Sequence, residues 1–151
     1  TVPPRRWAQI EVWPNAPYGL YAVQDPAQPE HNLRATLHAD GDGNYAFATR
    51  KPVSYEVPGD GLEGELVRAG GGHCWRPAHI HILINAEGYK RHISQNFDAA
   101  DPYINEDSIF GVRAPLAVPY DQTPGEEVFA RFAGIERPFN IVSVDFVLAR
   151  A

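Results

Sequence analysis

The chain has 151 residues, a size at which one domain buries roughly 70% of its unfolded surface without staples. No apolar run approaches the roughly 18 residues of a membrane span, and the lone Cys74 excludes an internal disulfide framework. A net charge of −6 argues against a nucleic-acid surface or an anionic membrane as partner, and 14 prolines with 13 glycines suit a turn-rich β chain better than long helices. The sequence opens on Thr1, contains no methionine and carries no basic-then-apolar leader, so it reads as a trimmed or processed product. The single thiol and missing leader make the cytoplasm the default location, with export left open by the trimmed start.

Ala8-Gln9-Ile10-Glu11-Val12-Trp13 alternates, with Ala8, Ile10 and Val12 on one side, which predicts a half-buried strand ended by Pro14, Asn15, Pro17 and Gly19. Residues 34–39 and 45–49 are two short runs joined by Asp40-Gly41-Asp42-Gly43-Asn44, the pattern of a hairpin. That turn has the D-x-D-x-N opening of a calcium loop. The places that need Gly and a bidentate Glu hold Tyr45 and Lys51, so calcium is excluded. Pro58-Gly59-Asp60-Gly61 reads as plain loop. Residues 78–84 predict a strong strand, with Ile80, Ile82 and Ile84 on one face and His79, His81 and Leu83 on the other. A helix is expected over 123–133, where Thr123 and Glu126 have capping-box spacing, Pro124 takes the first helical position and Gly134 ends it. Val142, Val144, Phe146 and Leu148 alternate as a closing strand should. The expected architecture is all-β: a single antiparallel β-sandwich with long loops and one short helix near the C-terminus.

The segment with chemical potential is Trp75-Arg76-Pro77-Ala78-His79-Ile80-His81. Residues i and i+2 of a strand point the same way, so both imidazoles face one place about 7 Å apart. Two neutral imidazoles on a rigid strand are half of a transition-metal site, although an H-x-H pair by itself also fits a solvated polar face. The sequence offers no HExxH, CxxC or second H-x-H to complete it. Cys74 sits across the strand from the histidines, and His31, His38, His73 and His92 read as surface or loop residues. Two tyrosines stand in unusual settings: Tyr21, in Gly19-Leu20-Tyr21, and Tyr55, held between Pro52 and Pro58. From their composition each is a core aromatic or a functional phenol.

The run Arg76-Pro77-Ala78-His79-Ile80-His81, with the contexts of Tyr21 and Tyr55 at suitable spacing, resembles the intradiol ring-cleaving dioxygenases. Further stretches are similar in the same order: Glu11-Val12-Trp13, Asp42-Gly43-Asn44-Tyr45, Gly88-Tyr89, Gln95, and Asp101-Pro102-Tyr103 through Asp107. The resemblance runs from about Ala8 to the end and implies one catalytic domain over residues 1–151. It implies non-haem Fe(III) held by Tyr21, Tyr55, His79 and His81, with Tyr55 and His81 axial. Arg76, Tyr55 and Gln95 are implied as catalytic residues. The implied reaction opens a catechol-type ring with O₂ to a cis,cis-muconate-type diacid. The partners are then a small aromatic diol and O₂, with a homo-oligomer left open.

The charges agree with that assignment. Fe(III) favours anionic oxygen donors, and its field deprotonates phenols whose free pKa is near 10. The permanent cation of Arg76 is suited to stabilise developing negative charge, or else to a supporting salt bridge. The loop 57–66 and Asp107-Ser108-Ile109-Phe110 resemble the catechol and hydroxyquinol branch, with Ser108 and Ile109 at pocket-lining places. Their neutrality suits hydroxyl or small ring substituents more than a carboxylate. One departure is that only Thr1–Trp7 precede the first strand, where the catechol branch carries a helical region used for dimerisation and part of the pocket. Competing readings are cleavage of a protocatechuate-type substrate, a non-catalytic β-sandwich binding subunit, and a Zn(II) or Cu(II) hydrolase that would have no use for the two tyrosines.

Overall fold

Alternating apolar residues build a sheet with two different faces. In a computed structural model of the chain, which describes residues 8–151, the first strand β1 (Gln9–Pro14) buries Ile10 and Val12 and leaves Glu11 and Trp13 half-buried opposite. The reading of residues 1–7 lies outside the described residues. Six further strands and two α-helices follow among the described residues, which are mostly strand and loop. β1 pairs antiparallel with β2 (Ala35–His38) and with the central β5 (His79–Asn85), and β5 pairs antiparallel with β6 (His92–Asp98). Adding β7 (Ala117–Val118), the five strands run β2-β1-β5-β6-β7, while β3 (Tyr55–Glu56) and β4 (Trp75–Arg76) form a separate two-stranded ribbon.

The core lies on one face of the five-stranded sheet. Ala8, Ile10, Val12, Ile80, Ile82 and Ile84 form one cluster with Ala39 and Tyr120. Burying a side chain of this kind contributes about 1.5–3 kcal/mol. Tyr45, Phe47, Val142, Phe146 and Leu148 cover it from segments outside the sheet ladder. On the opposite face Trp13, His81 and Gln95 stand in one cross-strand row, with His79 opposite Phe97 beside it. The expected division of β5 into an isoleucine face and a histidine face is therefore what forms.

Four expectations need correction. The main sheet is mixed, because β7 runs parallel to β6. Residues 99–116 separate the two strands, and a connection of that length can return a strand in the same direction. Within 45–49 and 142–148 no strand ladder forms among the described residues. The C-terminal segment keeps alternating burial but touches its neighbours through isolated bridges, Tyr89 with Arg150 and Gln122 with Ile141. The C-terminal helix α2 spans Glu126–Arg131, with Gly125 rather than Thr123 at its N-cap and no side-chain capping bond. Finally, the presumed loop holds helix α1 (Leu62–Ala69). Its buried residue, Gly64, lies so close to the main chain of Gly59 that any Cβ would overlap it. The glycine that weakens the helical pattern is the one that lets the helix pack.

Truncation Ile82→Ala should cost about 2–5 kcal/mol by urea unfolding, as a fully buried aliphatic does. Val23→Ala, at a side chain 92% exposed, should stay within about 0.5 kcal/mol.

Candidate metal centre and active site

Three separate stretches of chain are pinned to the histidine strand. After β1 the chain turns through Ala16–Leu20, closed by Gly19 N–H donating to Ala16 O (2.8 Å) and Ala16 N–H to Leu20 O (2.9 Å). Gly19 takes φ +89°, a left-handed conformation that favours glycine, and its Cα faces the Cβ of Tyr55. Tyr21 follows, its N–H bonded to Gln24 Oε1 (2.9 Å). Asn15 ties the Tyr55 segment down by donating to Val53 O (2.9 Å) and accepting from Val53 N–H (3.1 Å). Asp101 Oδ2 accepts from Ser54 Oγ (2.6 Å) and from Ala78 N–H (2.8 Å), joining the residue before Tyr55 to the residue before His79. β3 then places Tyr55 opposite Arg76.

The four side chains expected to share one site converge. His79 Nε2 lies 3.2 Å from His81 Nε2 and 3.4 Å from the Tyr21 hydroxyl. The Tyr55 ring is edge-on to Tyr21 at 5.3 Å and tilted against His79 at 5.6 Å. His79 Nδ1–H donates to Pro77 O at 2.7 Å, which leaves its Nε2 lone pair turned into the cluster. Trp13 stacks flat on His81, 5.2 Å between centroids and 3° between planes.

Arg76, 3% exposed, governs the charge here. Its five N–H groups are all engaged: Nε–H with Asp107 Oδ1 (3.0 Å), Nη2 with Asp107 Oδ2 (3.2 Å) and Gln95 Oε1 (2.9 Å), and Nη1 with His79 Nε2 (3.2 Å) and the Tyr55 hydroxyl (3.5 Å). Because Gln95 gives its oxygen to Arg76, its amide N–H₂ faces His81 Nδ1 at 3.2 Å. Burial works against the Arg76 charge, but the Asp107 bond and the neighbouring Tyr55 hold its pKa above the usual value. Burial raises Asp107, but the bond and charge of Arg76 together with the N–H groups of Gly111 and Ile109 hold it below the usual carboxylate value. Burial, then the Arg76 cation, pushes His79 down to about 3 and His81 down to about 4. Burial and the adjacent Tyr55 raise Tyr21 well above a free phenol. The cluster is thus two neutral imidazoles and a protonated Tyr21 beside a buried cation.

Ser108 and Ile109 lie behind this network. Ser108 N–H bonds to Trp75 O (3.1 Å) and its Oγ is buried with no hydrogen-bond partner among the described residues, while Ile109 is 52% exposed. Neither makes a hydrogen bond or ring contact with the four clustered residues among the described contacts. His31 does approach: with Glu30, Arg34 and Trp13 it lines a recess of about 290 Å³ floored by Tyr21 and His81. Asp40, the head of the excluded calcium loop, spends its carboxylate on Asp42 N–H and Asn44 N–H. Sequence reasoning missed Asp107 as the partner of Arg76, Trp13 as the plate under His81, and Asn15 and Asp101 as pins. Each is an ordinary polar or aromatic residue whose role depends on a partner far away in the chain. A signal existed for Trp13, whose place in β1 puts it on the face away from Ile10 and Val12.

Comparison with known proteins agrees with this geometry. The profile of the family described as Dioxygenase matches residues 3–148. A hydroxyquinol 1,2-dioxygenase of Rhizobium sp. (strain MTP-10005) is 39% identical over 144 residues, covering 95% of this chain and 49% of that protein. A catechol 1,2-dioxygenase of Candida albicans is 39% identical over 121 residues, covering 80% and 40%. Among solved structures, hydroxyquinol 1,2-dioxygenase from Pseudomonas putida DLL-E4 superposes with a TM-score of 0.86 at 38% identity, covering 99% of this chain and 52% of that one. The chain spans about half the length of the relatives it matches.

The depressed histidines set an acid limit. In the unfolded chain both imidazoles take a proton near pH 6.5, whereas in the metal-free fold they stay neutral to about pH 4 and 3. Between those values the unfolded state binds more protons, so stability falls as pH drops through the window, by a few kcal/mol in order of magnitude. Urea unfolding of metal-free protein from pH 7.5 to 4.5 should show this loss, and the double variant His79→Gln, His81→Gln should flatten it.

Proposed function

Since the chain belongs to the dioxygenase family of the catechol and hydroxyquinol 1,2-dioxygenases, we propose that it is a catalytic domain for intradiol cleavage of a catechol-type ring by O₂, dependent on a non-haem ferric ion. The observation that carries the reading is the convergence of Tyr21, Tyr55, His79 and His81 around one point. The residues fit the ion. His79 presents Nε2 because its Nδ1–H is spent on Pro77, both imidazoles are held neutral, and two phenols supply the hard oxygen donors that a trivalent cation favours. Tyr21, Tyr55, His79 and His81 would hold the ion, which when bound supplies Lewis acidity and a template for the two substrate oxygens.

The chain's own residues do the rest. Tyr55, as phenolate, accepts one proton from an incoming catechol hydroxyl, and the N–H of Arg76 Nη1 beside it compensates the charge that is left. Arg76 stabilises negative charge developing on the substrate, at little reorganisation cost because Asp107 and Gln95 already fix it. Trp13 and Gln95 hold the His81 ring in place. All five Arg76 donors are engaged, so a ring carboxylate would have to displace one of them. That favours catechol or hydroxyquinol over a protocatechuate-type substrate. The cover that Tyr45, Phe47, Val142, Phe146 and Leu148 give the sheet supports a two-layered, sandwich-like domain.

Protein loaded with ferric iron should be burgundy, from phenolate-to-iron absorption, and should consume oxygen faster with catechol or hydroxyquinol than with protocatechuate. Tyr55→Phe should shift that band and cut turnover by about 10²-fold or more, whereas Tyr89→Phe should leave both near wild type. A colourless preparation that takes up no oxygen with any of the three substrates overturns the reading.

A further inference from the structure

The Arg76 guanidinium has three edges and they are used unequally. Asp107 takes Nε–H and one hydrogen of Nη2, Gln95 takes the other, and Nη1 is thereby turned to His79 and Tyr55. Asp107 is 5% exposed and is itself gripped: Gly111 N–H donates to its Oδ2 at 2.8 Å and Ile109 N–H to its Oδ1 at 3.5 Å. The turn that brings Gly111 back is closed by Phe110 N–H to Asp107 O at 2.9 Å. It puts Phe110, 83% exposed, at φ +56°, a left-handed conformation that a bulky residue adopts only under strain. Solvent exposure of the ring offers nothing to offset that strain, whereas the bond it directs onto Asp107 does.

Gly111 is constrained from the other side. A Cβ there would stand 3.0 Å from Asp107 Oδ2 and 3.1 Å from Arg76 Nη2. Both atoms belong to buried side chains, are bonded to each other and hold further partners in Gly111 N–H and Gln95, so neither can give way cheaply. We propose that Asp107, clamped by the main chain of Gly111, is the positioning residue that aims Arg76 Nη1 at the reacting centre, and that residue 111 must lack a side chain for the clamp to close. Asp107 itself touches no reacting atom; it acts through Arg76. Its consequence for turnover rests on the dioxygenase reading, whereas the anchoring of Arg76 does not.

The test compares ferric-loaded wild type with Asp107→Asn and Gly111→Ala. Asparagine keeps the shape but turns an N–H₂ toward the donors of Arg76 or Gly111. Turnover per bound iron with catechol should fall about 10²-fold in Asp107→Asn and about tenfold in Gly111→Ala, with KM changed less than about threefold. The visible band should move in both, because Tyr55 loses its Arg76 donor. Variants that bind iron with wild-type kcat and an unmoved band overturn the proposal. Gly111→Ala decides alone if Asp107→Asn does not fold. In metal-free protein, ¹⁵N spectra should show the Arg76 guanidinium rotating slowly in wild type and averaged in the variants. Identical Arg76 signals in all three overturn the clamp even where wild type shows no colour and no oxygen uptake, the result that defeats the dioxygenase reading instead.

Discussion

The site depends on one strand being buried on both faces. β5 turns Ile80, Ile82 and Ile84 into the core and His79 and His81 out of it, so the hydrophobic effect that fixes the register also fixes the direction of both imidazoles. A one-residue slip would exchange the faces, placing histidines among isoleucines at a cost no folded state would bear. The geometry of the histidine pair is thus coupled to core packing. Flanking β1 and β6 add Trp13 and Gln95 to the same row, so three neighbouring strands orient a single ring.

The rigid strand carries two imidazoles, whereas Tyr21 comes from the loop after β1 and Tyr55 from the short strand β3. Ordering a loop tyrosine costs conformational entropy, and the structure offsets it with few but well-placed bonds. Asn15 holds Val53 twice, Asp101 joins Ser54 to Ala78, and the Tyr55–Arg76 pairing completes the ribbon. These polar side chains are buried and paired, so removing any of them leaves an unsatisfied partner as well as a looser tyrosine. The arrangement explains how residues separated by as many as 58 positions, Tyr21 and His79, meet at 3.4 Å.

Charge is managed in the same way. Burial, and then the guanidinium beside them, keeps both imidazoles neutral, and Asp107 makes that cation tolerable. Burial, with the adjacent Tyr55, raises Tyr21, so its phenol resists ionisation.

Much of this was legible in the residues. Period-two alternation located β1 and β5 and assigned their faces, because side-chain direction in a strand is a local property. The uncommon run from Arg76 to His81, with two tyrosines in proline- and glycine-bounded settings, pointed to the four side chains that converge. Local pattern could not say that residues 142–148 would stay extended without a ladder, that β7 would return parallel, or that the glycines of 59–64 pack a helix, since each depends on which distant surface the segment meets. Nor could it single out Asp107 and Gly111, which resemble any acidic residue and any glycine until the fold sets one against Arg76 and the other against both. Sequence alone determined which atoms could bind and which way a strand would point them. Tertiary structure decided which distant residues hold those atoms still, because hydrogen-bond partners are set by position in space and leave no periodic trace along the chain.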